Sequence, residues 1–424
     1  MEPVSPRRRA EEPFVLGAML SLVGAAAWLI ARSKLLVQFF YSSETIALTH
    51  LVTLGFASSI TLGVMLRLVP EALKVEPRSH KVAWVEAVLW LLATSGLVFH
   101  FVVEHWLGMA WAAALLLLVA LLRAWNFSTL WAPARRGDWT ARWILAGLAW
   151  FVLAATLGAS YGALRVGSFG ASLWTAPLLD RLAAHLHVAA LGWIGSVIFG
   201  VQVKLLPATR ASPKLELARF VLHHGGLLGL ATALLTGKLP AWPFAGALAL
   251  SLASRSVPAL LGFRRNKAGR WEAVAHAVVL ALAATGVLLT LGIPDPDGEL
   301  RLRVEFAYGF VALFGWIALT VAGTAWKLFS SWVWLERFAP IARTRTEPVP
   351  TAAQLVSPLL RNACGALLLL GVAGVATGIV LADRRVVAPS TWVLGGGVAL
   401  FVLQFVRIAR WALLPLRWKP PHTG

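Results

Sequence analysis

Runs of about 20 apolar residues, each bounded by charged or turn-forming residues, recur along the chain from residue 14 to residue 414. A run of that length is what an α-helix needs to cross the hydrocarbon core of a bilayer. The pattern predicts twelve helices, near 14–32, 45–70, 82–104, 107–125, 141–164, 178–206, 214–237, 241–262, 271–293, 303–329, 354–381 and 389–414. The runs are continuous, whereas the strands of a membrane β-barrel alternate polar and apolar positions. The expected fold class is therefore all-α integral membrane, with twelve transmembrane helices in a single transmembrane domain over residues 1–424 and a short tail at each end.

Composition sharpens this reading. Of the 424 residues, 58% are hydrophobic and only 13% charged, about half the ~25% charge of a soluble domain. A soluble enzyme on a single anchor and a secreted domain are excluded. The net charge of +19 would suggest nucleic acid in a soluble protein, but here the bases are dispersed over short connections. Arg7 to Arg9, Lys74, Arg78 and Lys81, Arg135, Arg136 and Arg142, and Arg210, Lys214 and Arg219 all fall on one side of the weave. So do Arg264, Arg265, Lys267 and Arg270, Arg337, Arg343 and Arg345, and Arg417 and Lys419. The opposite loops hold acids such as Asp295, Asp297 and Glu299. By the positive-inside rule both termini are expected in the cytoplasm, in a bacterial-type inner membrane. The expected partner is the lipid bilayer, with no nucleic acid. The first apolar run lacks a small-residue cleavage site and reads as a retained helix. Cys364 is the only cysteine, so an intrachain disulfide, a Cys-ligated cluster and a Cys-x-x-Cys-His haem attachment site are all excluded.

A repeat carries most of the information. The second predicted helix reads HLVTLGFASSITLGVMLRLVP from His50, the sixth HVAALGWIGSVIFGVQVKLLP from His187, and the tenth FVALFGWIALTVAGTAWKLFS from Phe310. Aligned without gaps, Gly55, Gly192 and Gly315 coincide, each followed by an aromatic residue (Phe56, Trp193, Trp316). Gly63, Gly200 and Gly323 coincide as well, then Arg67, Lys204 and Lys327. One small residue on a membrane helix means only close packing. Two glycines, an aromatic and a base in register three times, at four-helix intervals, imply three pseudo-repeated four-helix units, about 14–125, 141–262 and 271–414. The three bases are expected to snorkel to the inner headgroups.

Twelve spans in three pseudo-repeats, a histidine entering the second helix, histidines entering the sixth and the LVP ending of the second resemble the haem-copper oxidase subunit I superfamily, nearest its nitric oxide reductase and cbb3-like branch. The stretch from His50 is also similar to the NnrS family of haem- and copper-containing membrane proteins linked to nitric oxide stress. The resemblance implies haem b as cofactor, copper as a further one, oxidoreductase chemistry in a respiratory chain, and a cytochrome c-type donor or other respiratory subunits as partners. It also implies that Arg384 and Arg385, in the loop LADRRVVAP, hold haem propionates, a role for which a guanidinium is well suited.

The sequence departs from that pattern in the tenth helix. The superfamily places His-x-His there, whereas this helix has no histidine and Phe310 stands in register with His50 and His187. Standard oxygen reduction is therefore not expected, and a haem held by His50 needs its second ligand from another helix. Five histidines share the outer leaflet: His50, His100, His105, His185 and His187. Ionisable groups inside membrane spans are functional candidates by default. His50 and His187 lead as haem ligands. His185 and His187 stand about 200° apart on their helix and cannot share one iron. His100 is expected as an inward ligand or a core histidine, and His105 as a surface residue.

His223 and His224 resemble the paired copper ligands of the oxidases. Counting helix rise from the connecting loop places them about 15 Å from the level of His187, which makes them second-rank metal ligands. Glu86 is expected level with His223, and Glu305 is expected to pair with Arg303. His80, His276 and His422 are expected to be solvated or interfacial. Two further readings remain open: a metal-free structural or anchoring subunit of a membrane respiratory complex, suggested by the missing histidines, and a secondary transporter, for which Glu86 is thin support. No nucleotide-binding or hydrolase motif is present.

Overall fold

The computed structural model describes residues 10–38, 40–167, 176–205, 211–264, 270–292, 298–342 and 349–413. Among them there is no strand, and twelve helices are long and apolar enough to cross a membrane. They are α1 (Glu11–Ala31), α2 (Ser43–Leu73), α3 (His80–Val102), α4 (Trp106–Arg135), α5 (Trp139–Arg165) and α6 (Leu178–Leu205). The second half comprises α7 (Pro213–Thr236), α8 (Trp242–Gly262), α9 (Trp271–Leu291), α10 (Glu299–Arg337), α11 (Pro358–Leu381) and α12 (Arg384–Ala412). Successive spans run in opposite directions, so residues 11 and 412 share one face of the bundle, called here the terminal face. The opposite face is the far face.

The helix starts follow local chemistry. The side chains of Ser42, Ser79, Asp138, Ser212 and Ser357 each accept from a backbone N–H in the first turn of α2, α3, α5, α7 and α11, satisfying donors a helix leaves open. Gly237 closes α7 at φ 63°, a left-handed value that glycine adopts without strain. The span α10 continues to Arg337, well past the expected end near 329, because Trp326, Trp332 and Val333 are buried and keep it packed.

Burial singles out α2, α6 and α10 as the centre. Their most apolar windows are 78%, 72% and 50% buried, against 28% for α9 on the periphery. Outward-facing leucines such as Leu16, Leu20, Leu228 and Leu370 are exposed, as a lipid-facing surface requires. Each central helix switches to π-helix over eight residues: Leu51–Ser58, Val188–Gly195 and Val311–Ala318. These segments begin immediately after His50, His187 and Phe310, so the sequence repeat and the helix irregularity coincide. A π-turn displaces backbone carbonyls from the helical ladder and often marks a functional site. Here Ser59 Oγ donates to the Leu54 carbonyl, 3.0 Å away.

Charge inside the bundle is paired. Arg123 on α4 and Glu86 on α3, both fully buried, meet at 2.7 Å. Arg123 Nη1 also donates to the Leu62 carbonyl at 3.0 Å, and Asn126 Nδ2 donates to Glu86 at 3.2 Å. In the second quarter of the bundle Glu216 on α7 takes Arg255 from α8 at 2.5 Å and Arg219 at 3.2 Å, with Trp143 Nε1 donating at 2.8 Å. Arg219 is thus a core residue, and Glu86 is engaged by Arg123 and Asn126. Nor do the repeated bases all reach for headgroups. Arg67 pairs with Glu71 and with Glu336 (3.1 and 2.7 Å), Lys327 pairs with Glu272, and Lys204 alone is exposed without an ion pair among the described residues. Neighbouring acids compensate these bases, which sequence spacing alone does not reveal.

Candidate functional site

The histidines of the central helices are presented in one way. His50 Nδ1 lies 2.8 Å from the Ile46 carbonyl and His187 Nδ1 lies 2.7 Å from the Ala183 carbonyl, each four residues back on its own helix. A carbonyl only accepts, so Nδ1 carries the proton and the neutral ring keeps its lone pair on Nε2. This is the orientation in which second-shell bonds hold metal-ligating histidines. Neither Nε2 has a described hydrogen-bond partner, and neither is among the buried unpartnered atoms, so both open into cavities.

His50 faces a first cavity of about 320 Å³ in the middle of the far half of the bundle. Its walls are mainly Leu, Ala and Phe from α2, α4, α5, α6 and α10, and His185 from α6 lines it as well. His185 Nδ1 is buried without a partner while its Nε2 is not, so a second imidazole nitrogen meets the same space. Phe101 stacks on the His50 ring at 5.3 Å. Small side chains keep the space clear; a Cβ at Gly158 would sit 3.4 Å from the His185 ring. Phe310, the residue in register with the two histidines, also lines this cavity.

His187 faces a second cavity of about 380 Å³ between α6, α7, α8, α9 and α10. Tyr308 stacks beside its ring at 6.1 Å. Asp180 and Arg301 lie toward the far face, and Glu305, bound to Arg301 at 2.9 Å, lines both cavities. The expected pairing of Glu305 with Arg303 does not form, because Arg303 pairs with Glu299 at 2.6 Å. His185 and His187 thus turn to different cavities, as their spacing requires.

The other expected residues lie elsewhere. His100 lines neither cavity; its ring is wedged against Gly108 and 5.2 Å from that of His105. His105 is exposed and caps α4 by accepting from the Gly108 N–H. Arg384 and Arg385 are exposed at the start of α12, outside both cavities, with the Arg385 N–H bonded to Asp383. His276 is buried, its Nδ1 3.1 Å from Ser256 Oγ, and is not interfacial. His80 is exposed, and His422 lies outside the described residues, as do Arg7 to Arg9, Arg210, Arg265, Lys267, Asp295, Asp297, Arg343, Arg345, Arg417 and Lys419.

His223 and His224 sit in an aromatic box of Trp143, Phe199 and Phe220. His223 Nε2 donates to the Leu191 carbonyl, inside the π segment of α6, at 3.2 Å. Leu191 lies four residues from His187, about 6 Å of helix rise, so the depth difference is smaller than the loop count implied. Trp150 Nε1 donates to His224 Nδ1 at 2.9 Å, which leaves the proton of that ring on Nε2. Of the pair, only His223 Nδ1 keeps a lone pair free. Among the described residues no three His, Cys, Asp or Glu side chains gather as a metal-binding group.

Sequence reasoning missed the pairing of His50 with His185, and the arginines that line the cavities. Arg165, at the end of α5, lines an outer chamber of about 170 Å³ that shares Tyr41, His50 and His185 with the first cavity. Arg165 and Arg301, which lines the second cavity, stand at helix ends on the far face, opposite the face that holds most of the bases, and that signal was available in the sequence. No family model matches this chain, and no curated protein matches it.

Proposed function

We propose that the protein is a membrane b-haem protein of the haem-copper oxidase subunit I type, acting in respiratory electron transfer or nitric oxide handling. The observation that carries this reading is the convergence of His50 from α2 and His185 from α6 on one apolar cavity, each with its Nε2 open to it. A bare transition-metal ion generally takes four or more protein or solvent ligands. Haem b brings four equatorial nitrogens and asks the protein for one or two more. Two imidazoles without a third ligand, in a Leu- and Ala-lined space, suit haem better than a free ion. Copper has less support, since each ring of the His223–His224 pair already commits one nitrogen to a hydrogen bond, and among the described residues no third ligand accompanies them.

Bound haem supplies one-electron transfer between ferric and ferrous iron. The chain's part is to hold His50 in one tautomer through the Ile46 carbonyl, to keep bulk water out with the Leu and Phe walls, and to present His187 and Tyr308 in a separate cavity. The matching π segments and the matching Nδ1 bonds of His50 and His187 support three pseudo-repeated units over 14–125, 141–262 and 271–414. The Lys and Arg distribution supports a bacterial-type inner membrane with both termini in the cytoplasm. In this reading a cytochrome c-type protein or a respiratory subunit delivers electrons. Phe310, in the third equivalent position, favours one alternative: a metal-free anchoring subunit that keeps the fold.

A dithionite-reduced minus oxidised spectrum of the purified protein, with pyridine haemochrome and copper assays, separates the two. A b-type α-band with stoichiometric haem is expected, lost in His50→Ala and in His185→Ala. A folded, colourless protein from haem-replete cells would overturn the haem reading and leave the anchoring one.

A further inference from the structure

The first cavity reaches the far face through a chamber that carries a cation and hydroxyls and no acid. Arg165 lines it with Tyr41, Ser43, Trp106 and Tyr161, and His50 and His185 form its inner end. The guanidinium lies 4.5 Å from the Trp106 ring, a cation–π contact that orients it. Tyr161 is held at the rim by donating to the Arg181 carbonyl at 2.9 Å, and Arg181 itself has a buried Nε without a hydrogen-bond partner.

Among the described residues no carboxylate pairs with Arg165. Among the described residues, the acids of that face are paired with other bases, line the other cavity or stand exposed. Glu44 is bound by Arg32 at 2.6 Å, Glu299 by Arg303 and Glu305 by Arg301. Asp180 lines the second cavity, and Glu104 is exposed in the turn between α3 and α4. A cation at the mouth of a largely apolar cavity, whose one lining acid among the described residues, Glu305, is taken by Arg301, is placed to receive an oxyanion from what enters. Arg is the side chain best suited to bind a carboxylate through two parallel N–H donors.

The geometry points to a carboxylate-recognition site at this mouth, centred on Arg165 and supported by Trp106 and Tyr161, in place of Arg384 and Arg385. Its anion comes either from the propionates of haem in the cavity, a form that rests on the function proposed above, or from a free carboxylate or oxyanion in solution. The two sources share one chemistry and differ in what they require of His50 and His185.

The test uses the full-length protein and its Arg165→Gln and Arg165→Lys variants, with the Arg384→Gln/Arg385→Gln double variant as control. With haem bound, Arg165→Gln is expected to keep the α-band position, since both imidazoles remain, and to lose haem to apomyoglobin about tenfold faster or more, the scale of one charge-assisted hydrogen bond. The double variant should behave as wild type, Arg165→Lys should fall between, and haem dimethyl ester should erase the difference between wild type and Arg165→Gln. On haem-free protein, acetate and nitrite are titrated against tryptophan fluorescence, with Trp106→Phe identifying the reporter. If the protein takes no haem, the haem reading fails, while a saturable, Arg165-dependent response still establishes the anion site. Equal haem loss, together with anion responses indifferent to Arg165, overturns the proposal.

Discussion

The indole nitrogen of Trp193 on α6 donates to the hydroxyl of Ser58 on α2 across 3.1 Å. Both side chains line the first cavity, at its end nearer the terminal face, and both are buried. The bond joins the two central helices whose histidines meet in that cavity, at the last residue of one π segment and within the other. Ser58→Ala removes the acceptor and leaves the indole N–H buried without one, at a cost of about 1–3 kcal/mol. The expected result is a lower thermal unfolding midpoint in detergent. A midpoint equal to wild type would mean that the indole finds another acceptor.

The two cavities assign different consequences to histidines two positions apart. On the proposed haem reading, His187→Ala is expected to leave His50 and His185 in the first cavity undisturbed, so a haem signal that depends on them should persist. His185→Ala should remove it. Spectra of the two variants at matched protein concentration check this, and identical losses would contradict the division into separate cavities.

Arg123→Met is expected to be far more damaging than removal of the whole pair. Glu86 would then be left at a fully buried position without its counter-charge, and breaking one side of a buried pair costs about 3–5 kcal/mol. The double variant Glu86→Leu/Arg123→Met exchanges the pair for apolar volume and should recover most of that loss. Thermal inactivation of the three variants, measured as loss of monodisperse protein, gives the comparison.

Glycines that are equivalent in the repeat should respond differently. A Cβ on Gly200 would stand 3.1 Å from the Thr140 carbonyl oxygen and from Trp143 Cβ, whereas one on Gly323 meets nothing within 4 Å. Gly200→Ala should destabilise by about 1–3 kcal/mol through overpacking. Gly323→Ala should stabilise by about 0.5–1 kcal/mol, since alanine loses less backbone freedom in a helix. Paired thermal midpoints decide it; a stabilising Gly200→Ala would show that α5 can move aside.

Much of the fold was legible because bilayer thickness imposes it. A span needs about 20 apolar residues whatever it packs against, so the helices could be counted before any neighbour was known. The site was legible in part. The repeat singled out His50 and His187, and both present Nε2 to cavities through the same intrahelical bond. His100, Arg384 and Arg385 were chosen by residue type and position along the chain, and all three lie away from the cavities. Arg123 could have been matched to Glu86, since opposite charges at similar depth on adjacent antiparallel helices tend to pair inside a membrane. Counting depth from the loops directed attention to His223 instead.

Helix number, length and alternating direction, the three repeated segments and the tautomer-fixing potential of histidines in a helix are properties of local sequence and of the lipid solvent, and these the chain determined by itself. Which histidine meets which was settled by the rotation of α6 against α2 and α10. That rotation depends on side chains packed from several helices, on the close approach at Gly55 and Gly192, and on three π segments that shift the angular phase of everything beyond them. The union of His50 with His185, the separate cavity of His187 and the placing of Arg165 at the mouth are therefore tertiary facts. They follow from packing between residues distant in sequence, and no periodicity within one helix encodes them.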